Sequence, residues 1–224
     1  MFLSSLWRRV DRDHRQDERD FRRRQWVTVV VVVVGALVLA GSLRIEPGSV
    51  WFYLATGVLA LVWAGGAFAS GPLHLGRIHS GDSSRRPVIE PVLVGLALAG
   101  VFVAGALIVR QLPLLDGLVQ QVLAHADQGS GPLVLLVTVV NGVAEELFFR
   151  GAVYASLPRH PALWSTVAYV AATAATGNLM LAFAALLLGT VAGLQRRASG
   201  GVLAPILTHI TWSVTMLVVL PLLF

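Results

Sequence analysis

Two carboxylates and a guanidinium stand inside an otherwise apolar stretch, Asn141-Gly-Val-Ala-Glu145-Glu146-Leu-Phe-Phe-Arg150-Gly151. Each charge at membrane depth costs roughly 2.5–3.5 kcal/mol on insertion scales, so such side chains face a bundle interior or a wet cavity and need partners. On a helix, Glu146 and Arg150 are four apart with the acid on the N-terminal side, the favourable order for an ion pair. Glu145 points about 100° away from Glu146 and has no basic neighbour on its own face; Asn141 lies one turn before it. Glu146 therefore reads as a structural partner of Arg150, and Glu145 as the free carboxylate. A desolvated carboxylate without a cation suits a general base that handles water near neutral pH.

A second polar group lies near the end of the chain, in Thr208-His209-Ile-Thr-Trp-Ser213. His209 and Ser213 share a helical face, and Pro205 one turn earlier is expected to loosen the backbone. His209 is the only His inside a predicted span; His14, His74, His79, His125 and His160 read as surface residues. Counting about 1.5 Å per residue from the span ends puts Glu145 and His209 within roughly 6 Å of each other in depth. That spacing allows one shared site.

The elements that must position these groups are membrane helices. The chain has 224 residues, of which 56% are hydrophobic and only 13% charged, about half the charge of a soluble domain. Apolar runs long enough to cross about 30 Å of hydrocarbon recur along it. Seven spans are predicted, at about 26–43, 50–70, 88–109, 132–157, 161–175, 180–195 and 201–224, which makes an all-α polytopic transmembrane bundle. Residues 111–131 are less apolar, and their helical spacing of Leu and Val between Asp and Gln predicts an amphipathic helix in the interface. Residues 1–25 form a charged tail, and 26–110 and 132–224 read as an N-terminal helical part and a C-terminal core. The first span reads as an uncleaved anchor. Gly189 and Gly193 form a small-xxx-small pair that permits close helix approach.

All seventeen basic residues are Arg, which reads as the codon bias of a GC-rich genome, and there is no Cys, hence no disulfide and no thiolate metal site. The arginines of the tail, of the 71–87 loop and of the turns holding Arg159, Arg196 and Arg197 fall on one side. The positive-inside rule makes that side, and the N-terminus, cytoplasmic. Arginines at membrane borders set topology, so the high pI does not indicate nucleic-acid binding. A multi-pass protein of a bacterial cell membrane is expected.

Glu145-Glu146-x-x-x-Arg150, within Glu-Glu-Leu-Phe-Phe-Arg-Gly, resembles the motif of the CPBP family, which groups type II CAAX prenyl endopeptidases with bacteriocin-processing and immunity proteins. Gly200-Gly201-Val-Leu-Ala-Pro205-Ile-Leu-Thr-His209 is similar to the stretch leading into that family's last His motif, and the likeness covers about 130–220. The resemblance implies that Glu145 activates a water for peptide hydrolysis and that His209 orients the water or stabilises the oxyanion. The family's residue four later is usually Asn; here it is Ser213. The family's pattern of an aromatic residue, three residues and His meets Tyr169-Val-Ala-Ala-Thr173, so Thr173 stands where that His is expected.

Together these features predict an intramembrane endopeptidase acting on a membrane-associated peptide or protein, with Glu145, His209, Glu146, Arg150, Thr173 and Ser213 at its site. Asn141 is a further supporting polar group. No cofactor is expected: a zinc site needs three protein ligands, and one intramembrane His without Cys supports it weakly. The alternative is an inactive membrane scaffold or immunity protein, motivated by Thr173 and Ser213. A proton-coupled carrier ranks last, because the chain has no repeated half.

Overall fold

The computed structural model of the protein describes residues 4–7, 9–10, 16–80 and 83–224. The tail residues Arg8, Asp11, Arg12, Asp13, His14 and Arg15, and the side chain of His79, lie outside them. The described chain is an all-α polytopic bundle. Its helices are α1 (Ser4–Trp7), α2 (Glu18–Ser42), α3 (Val50–Ser70), α4 (Ile89–Val109), α5 (Pro113–Asp127), α6 (Gly131–Glu146), α7 (Tyr154–Ser156), α8 (Pro161–Ala174), α9 (Leu179–Ser199) and α10 (Leu203–Val219). A π-helical segment, Leu147–Val153, joins α6 to α7. Two short antiparallel strands, β1 (Ile78–Ser80) and β2 (Ser83–Arg85), occupy the loop between α3 and α4.

Among the described residues six helices are long and apolar enough to cross a membrane, not seven. The expected fifth span is α8, which has 14 residues, about 21 Å of helix and too short for a 30 Å core. Thr173, Thr176 and Gly177 end it: the Thr176 hydroxyl donates to the Thr173 carbonyl and Gly177 takes φ 79°. The segment still joins the two ends of the bundle. Gln25, in the arginine-rich first turns of α2, donates to the Ser156 carbonyl just before α8, and Asn178 just after it donates to the Leu118 carbonyl of α5. The helix of the first span, α2, also begins earlier than expected, at Glu18, because Asp17 caps it by accepting from the Asp20 amide.

The predicted amphipathic helix is α5. Leu123 and His125 are buried on its inner side, and Leu114 is exposed on its outer side. His125 is therefore not a surface residue. Its ring lies tilted against Phe52 with centroids 4.5 Å apart, and Nδ1 and Nε2 meet the Gln121 and Ile45 carbonyls at 3.2 and 3.1 Å. Large apolar side chains such as Leu37, Leu61, Val101, Ile108 and Val218 stand on the outside of the bundle, which suits lipid as solvent.

The core that braces the polar stretch is aromatic. Trp63 of α3 is 1% exposed and stacks on Phe148 at 4.9 Å; Phe149 packs on Tyr169 of α8 at the same centroid distance. Each such pair contributes roughly 0.5–1.5 kcal/mol beyond buried area. Trp63 fits only because Gly35 of α2 has no side chain: a Cβ there would stand 2.1 Å from the indole. At the arginine-rich end the α3–α4 loop docks on the turn before α10. The Val202 and Leu203 amides donate to the His74 and Leu75 carbonyls, and Arg77 donates its amide to the Ser199 carbonyl. Gly201 permits this approach, since a Cβ on it would fall 2.1 Å from the Gly76 amide. Pro205 then falls within the first turn of α10, where its missing N–H is not needed and the backbone is not loosened.

Gly35→Val forces the Trp63 ring aside and is expected to cost about 1–3 kcal/mol as overpacking. Thermal unfolding in detergent checks this: the midpoint falls by ~2–4 °C per kcal/mol for a chain of this size, whereas Gly41→Val, with nothing within 4 Å of its Cβ, leaves it unchanged.

Candidate active site

The carboxylate pair sits where α6 changes into the π segment. π turns insert one residue into a helix and occur frequently at functional sites. Here the insertion follows Glu146 directly, and every residue from Phe148 to Val153 is buried. Widening the turn frees backbone groups that need partners. The Arg150 carbonyl finds one in Arg196 of α9, whose Nε donates to it at 2.6 Å. The Arg196 guanidinium also lies 4.6 Å over the Tyr154 ring. Arg196 had read as a topology-setting arginine, but it is 5% exposed and fastens the helix that carries the site.

Glu146 and Arg150 are both fully buried and joined, Arg150 Nη1 donating to Glu146 Oε1 at 3.0 Å. The same oxygen accepts from Nδ1 of His209 on α10, at 2.8 Å. A carboxylate held by a guanidinium offers only acceptors, so the Nδ1 nitrogen is the donor. This hydrogen bond orients the imidazole and leaves Nε2 as the ring nitrogen not engaged by Glu146. The Cδ2–Nε2 edge of the ring faces α6 at Gly142: a Cβ there would stand 3.6 Å from Cδ2 and 3.8 Å from Nε2. Gly142 lies one turn before Glu145 and Glu146.

Glu145 is partly buried and has a different partner, accepting from the Tyr169 hydroxyl of α8 at 2.7 Å. His209, Glu146 and Arg150 are near enough to act on it electrostatically. The face of Tyr169 also lies 4.7 Å from the Arg150 guanidinium. The expected division between a structural and a free carboxylate thus takes a different form. Glu146 holds His209 as well as Arg150, and Glu145 is held by a phenol rather than by a cation. Sequence reasoning had Tyr169 only as a pattern aromatic; its hydroxyl was the available signal.

The remaining expected groups are turned elsewhere. The Thr173 hydroxyl donates to the Tyr169 carbonyl one turn back, at 2.9 Å. Asn141 donates to the Val137 and Thr56 carbonyls, binding α6 to α3. Ser213 lies on the wall of an apolar cavity of about 500 Å³, with Phe102, Val137, Leu187 and Trp212. No three His, Asp or Glu side chains gather as a metal cluster among the described residues.

Residues 127–215 match the family of type II CAAX prenyl endopeptidase Rce1-like proteins. The matched stretch runs from the end of α5 to α10 and contains every residue of the carboxylate cluster. The family so matched is described as one of prenyl endopeptidases. No curated protein and no solved structure matches the chain.

Removing one member of a buried ion pair strands the other, which costs about 3–5 kcal/mol, whereas replacing both with apolar residues is often near neutral. Glu146→Ala and Arg150→Ala are each expected to destabilise the protein strongly, and Glu146→Leu/Arg150→Leu to recover most of that loss. Denaturant or thermal unfolding of the three variants checks the coupling.

Proposed function

We propose that this Rce1-like membrane protein is an intramembrane endopeptidase that hydrolyses a peptide bond of a membrane-associated protein or peptide, with Glu145 activating the water. The observation that carries the reading is the split of roles in one carboxylate pair. Glu146 is spent on Arg150 and His209, while among the described residues Glu145 is hydrogen-bonded by the neutral Tyr169 hydroxyl and by no cation.

The chemistry follows from that split. Glu145 takes a proton from a water molecule, and the water oxygen attacks the carbonyl carbon of the scissile bond. His209 meets the water through Nε2, because Nδ1 is committed to Glu146. As the tetrahedral centre collapses the C–N bond breaks, and the proton held by Glu145 passes to the departing amine nitrogen. Arg150 and Arg196 hold the helix geometry and do not touch the substrate. The core at 132–224 carries the reaction, the helices at 26–110 wall it in, and the arginine-rich end faces the cytoplasm.

A second reading, an inactive scaffold or immunity protein of the same fold, is favoured by one observation. The Thr173 hydroxyl, at the position where the resembling family has His, is satisfied by backbone.

The two readings separate on one substitution. Glu145→Gln keeps shape and removes the base. Hydrolysis of quenched fluorogenic apolar peptides by the reconstituted protein is expected to fall about 10²–10⁴-fold, the usual contribution of a general base, with no loss of folded protein. Full activity in this variant would remove Glu145 from the role. An unchanged cellular phenotype, with no hydrolysis by the unsubstituted protein, would favour the scaffold.

A further inference from the structure

We propose that Tyr169 is a positioning residue for the reaction: its phenol commits Oε2 of Glu145 and leaves Oε1 as the oxygen that meets water. The inference rests on reading Glu145 as the base. A carboxylate with two free oxygens rotates about its last torsion and presents neither reliably, whereas one strong donor fixes both. The 2.7 Å hydrogen bond from the Tyr169 hydroxyl is such a donor, and it reaches Oε2 from a different helix.

The ring that carries this hydroxyl is held on several sides. It is 7% exposed, packs on Phe149 at 4.9 Å and has the Arg150 guanidinium 4.7 Å from its centroid. Arg150 therefore fixes both halves of the site, Glu146 by an ion pair and Tyr169 by its ring face. The seat is closed by α9 at Gly189, where a Cβ would stand 3.0 Å from Thr166, 3.1 Å from Arg150 Nη2 and 3.3 Å from the Tyr169 ring. Thr166 donates to the Gly189 carbonyl at 2.9 Å and sets the spacing of the two helices. Gly189 of the small-residue pair on α9 thus decides where the phenol stops. Tyr169 keeps its own proton throughout; only the water proton moves, to Glu145 and then to the amine.

Tyr169→Phe retains the ring and its contact with Arg150 and removes only the hydroxyl. With a peptide that the unsubstituted protein cleaves, kcat is expected to fall about 10- to 100-fold, the worth of one hydrogen bond to a charged group, with KM within about twofold and the unfolding midpoint little changed. A wild-type kcat in this variant overturns the proposal. A second readout needs neither hydrolysis nor that variant's stability. The chain has three tyrosines, so 3-fluorotyrosine labelling gives three ¹⁹F resonances. The resonance from position 169 must move in Glu145→Ala while those of Tyr53 and Tyr154 stay, and an unmoved resonance refutes the contact. Should the unsubstituted protein cleave nothing, the proteolytic reading fails, and the fluorine signal still decides whether the phenol holds the carboxylate.

Discussion

A single oxygen, Oε1 of Glu146, accepts from a guanidinium on its own helix and from an imidazole on α10. In hydrocarbon no water comes to the aid of an unpaired charge, so this carboxylate must find protein donors or be excluded from the span. Satisfying it requires α6 and α10 to meet at one depth, and it draws the Arg150 side chain inward. Once there, the guanidinium is fully buried and needs further company, which the face of Tyr169 supplies. The arrangement of α6, α8 and α10 around the site can be read as the consequence of burying one acid.

The π segment, Leu147–Val153, follows Glu146 directly, and within it Phe148 and Phe149 pack on Trp63. The wider turn frees the Arg150 carbonyl, and Arg196 answers it from α9. The side chain and the backbone carbonyl of Arg150 are thus tied to two other helices, α8 and α9. The aromatic column from Trp63 through Phe148 and Phe149 to Tyr169 fills the space between them. Glu145, adjacent in sequence, is left to the neutral phenol of α8, so the two acids of the pair have different partners.

Much of this was legible in the residues alone. The i, i+4 spacing of Glu146 and Arg150 favours their pairing in an α-helix, and the apolar runs place five of the long helices within a few residues of their ends, α2 excepted. What escaped were features that depend on which helix faces which. The partner of His209 could not be read from α10, since either acid lies at the right depth. The role of Arg196 was hidden because an arginine at a span border satisfies the topology rule without further explanation. The shortness of α8 came from hydroxyl-to-backbone bonds at Thr173 and Thr176, which hydropathy does not register. His125 looked like a surface residue because its two carbonyl partners, Gln121 and Ile45, cover it only after α5 folds back over the α2–α3 turn.

The central claim is that the Glu146 carboxylate fixes the His209 ring through Nδ1 and so presents Nε2 to the reacting water. Nitrogen-15 NMR of the histidine rings in lipid, with His209 assigned by its loss in His209→Gln, tests it most directly. A proton on Nδ1 that responds to Glu146→Gln is the result this account requires. A bare Nδ1 in the unsubstituted protein, or a ring signal indifferent to Glu146, would contradict it.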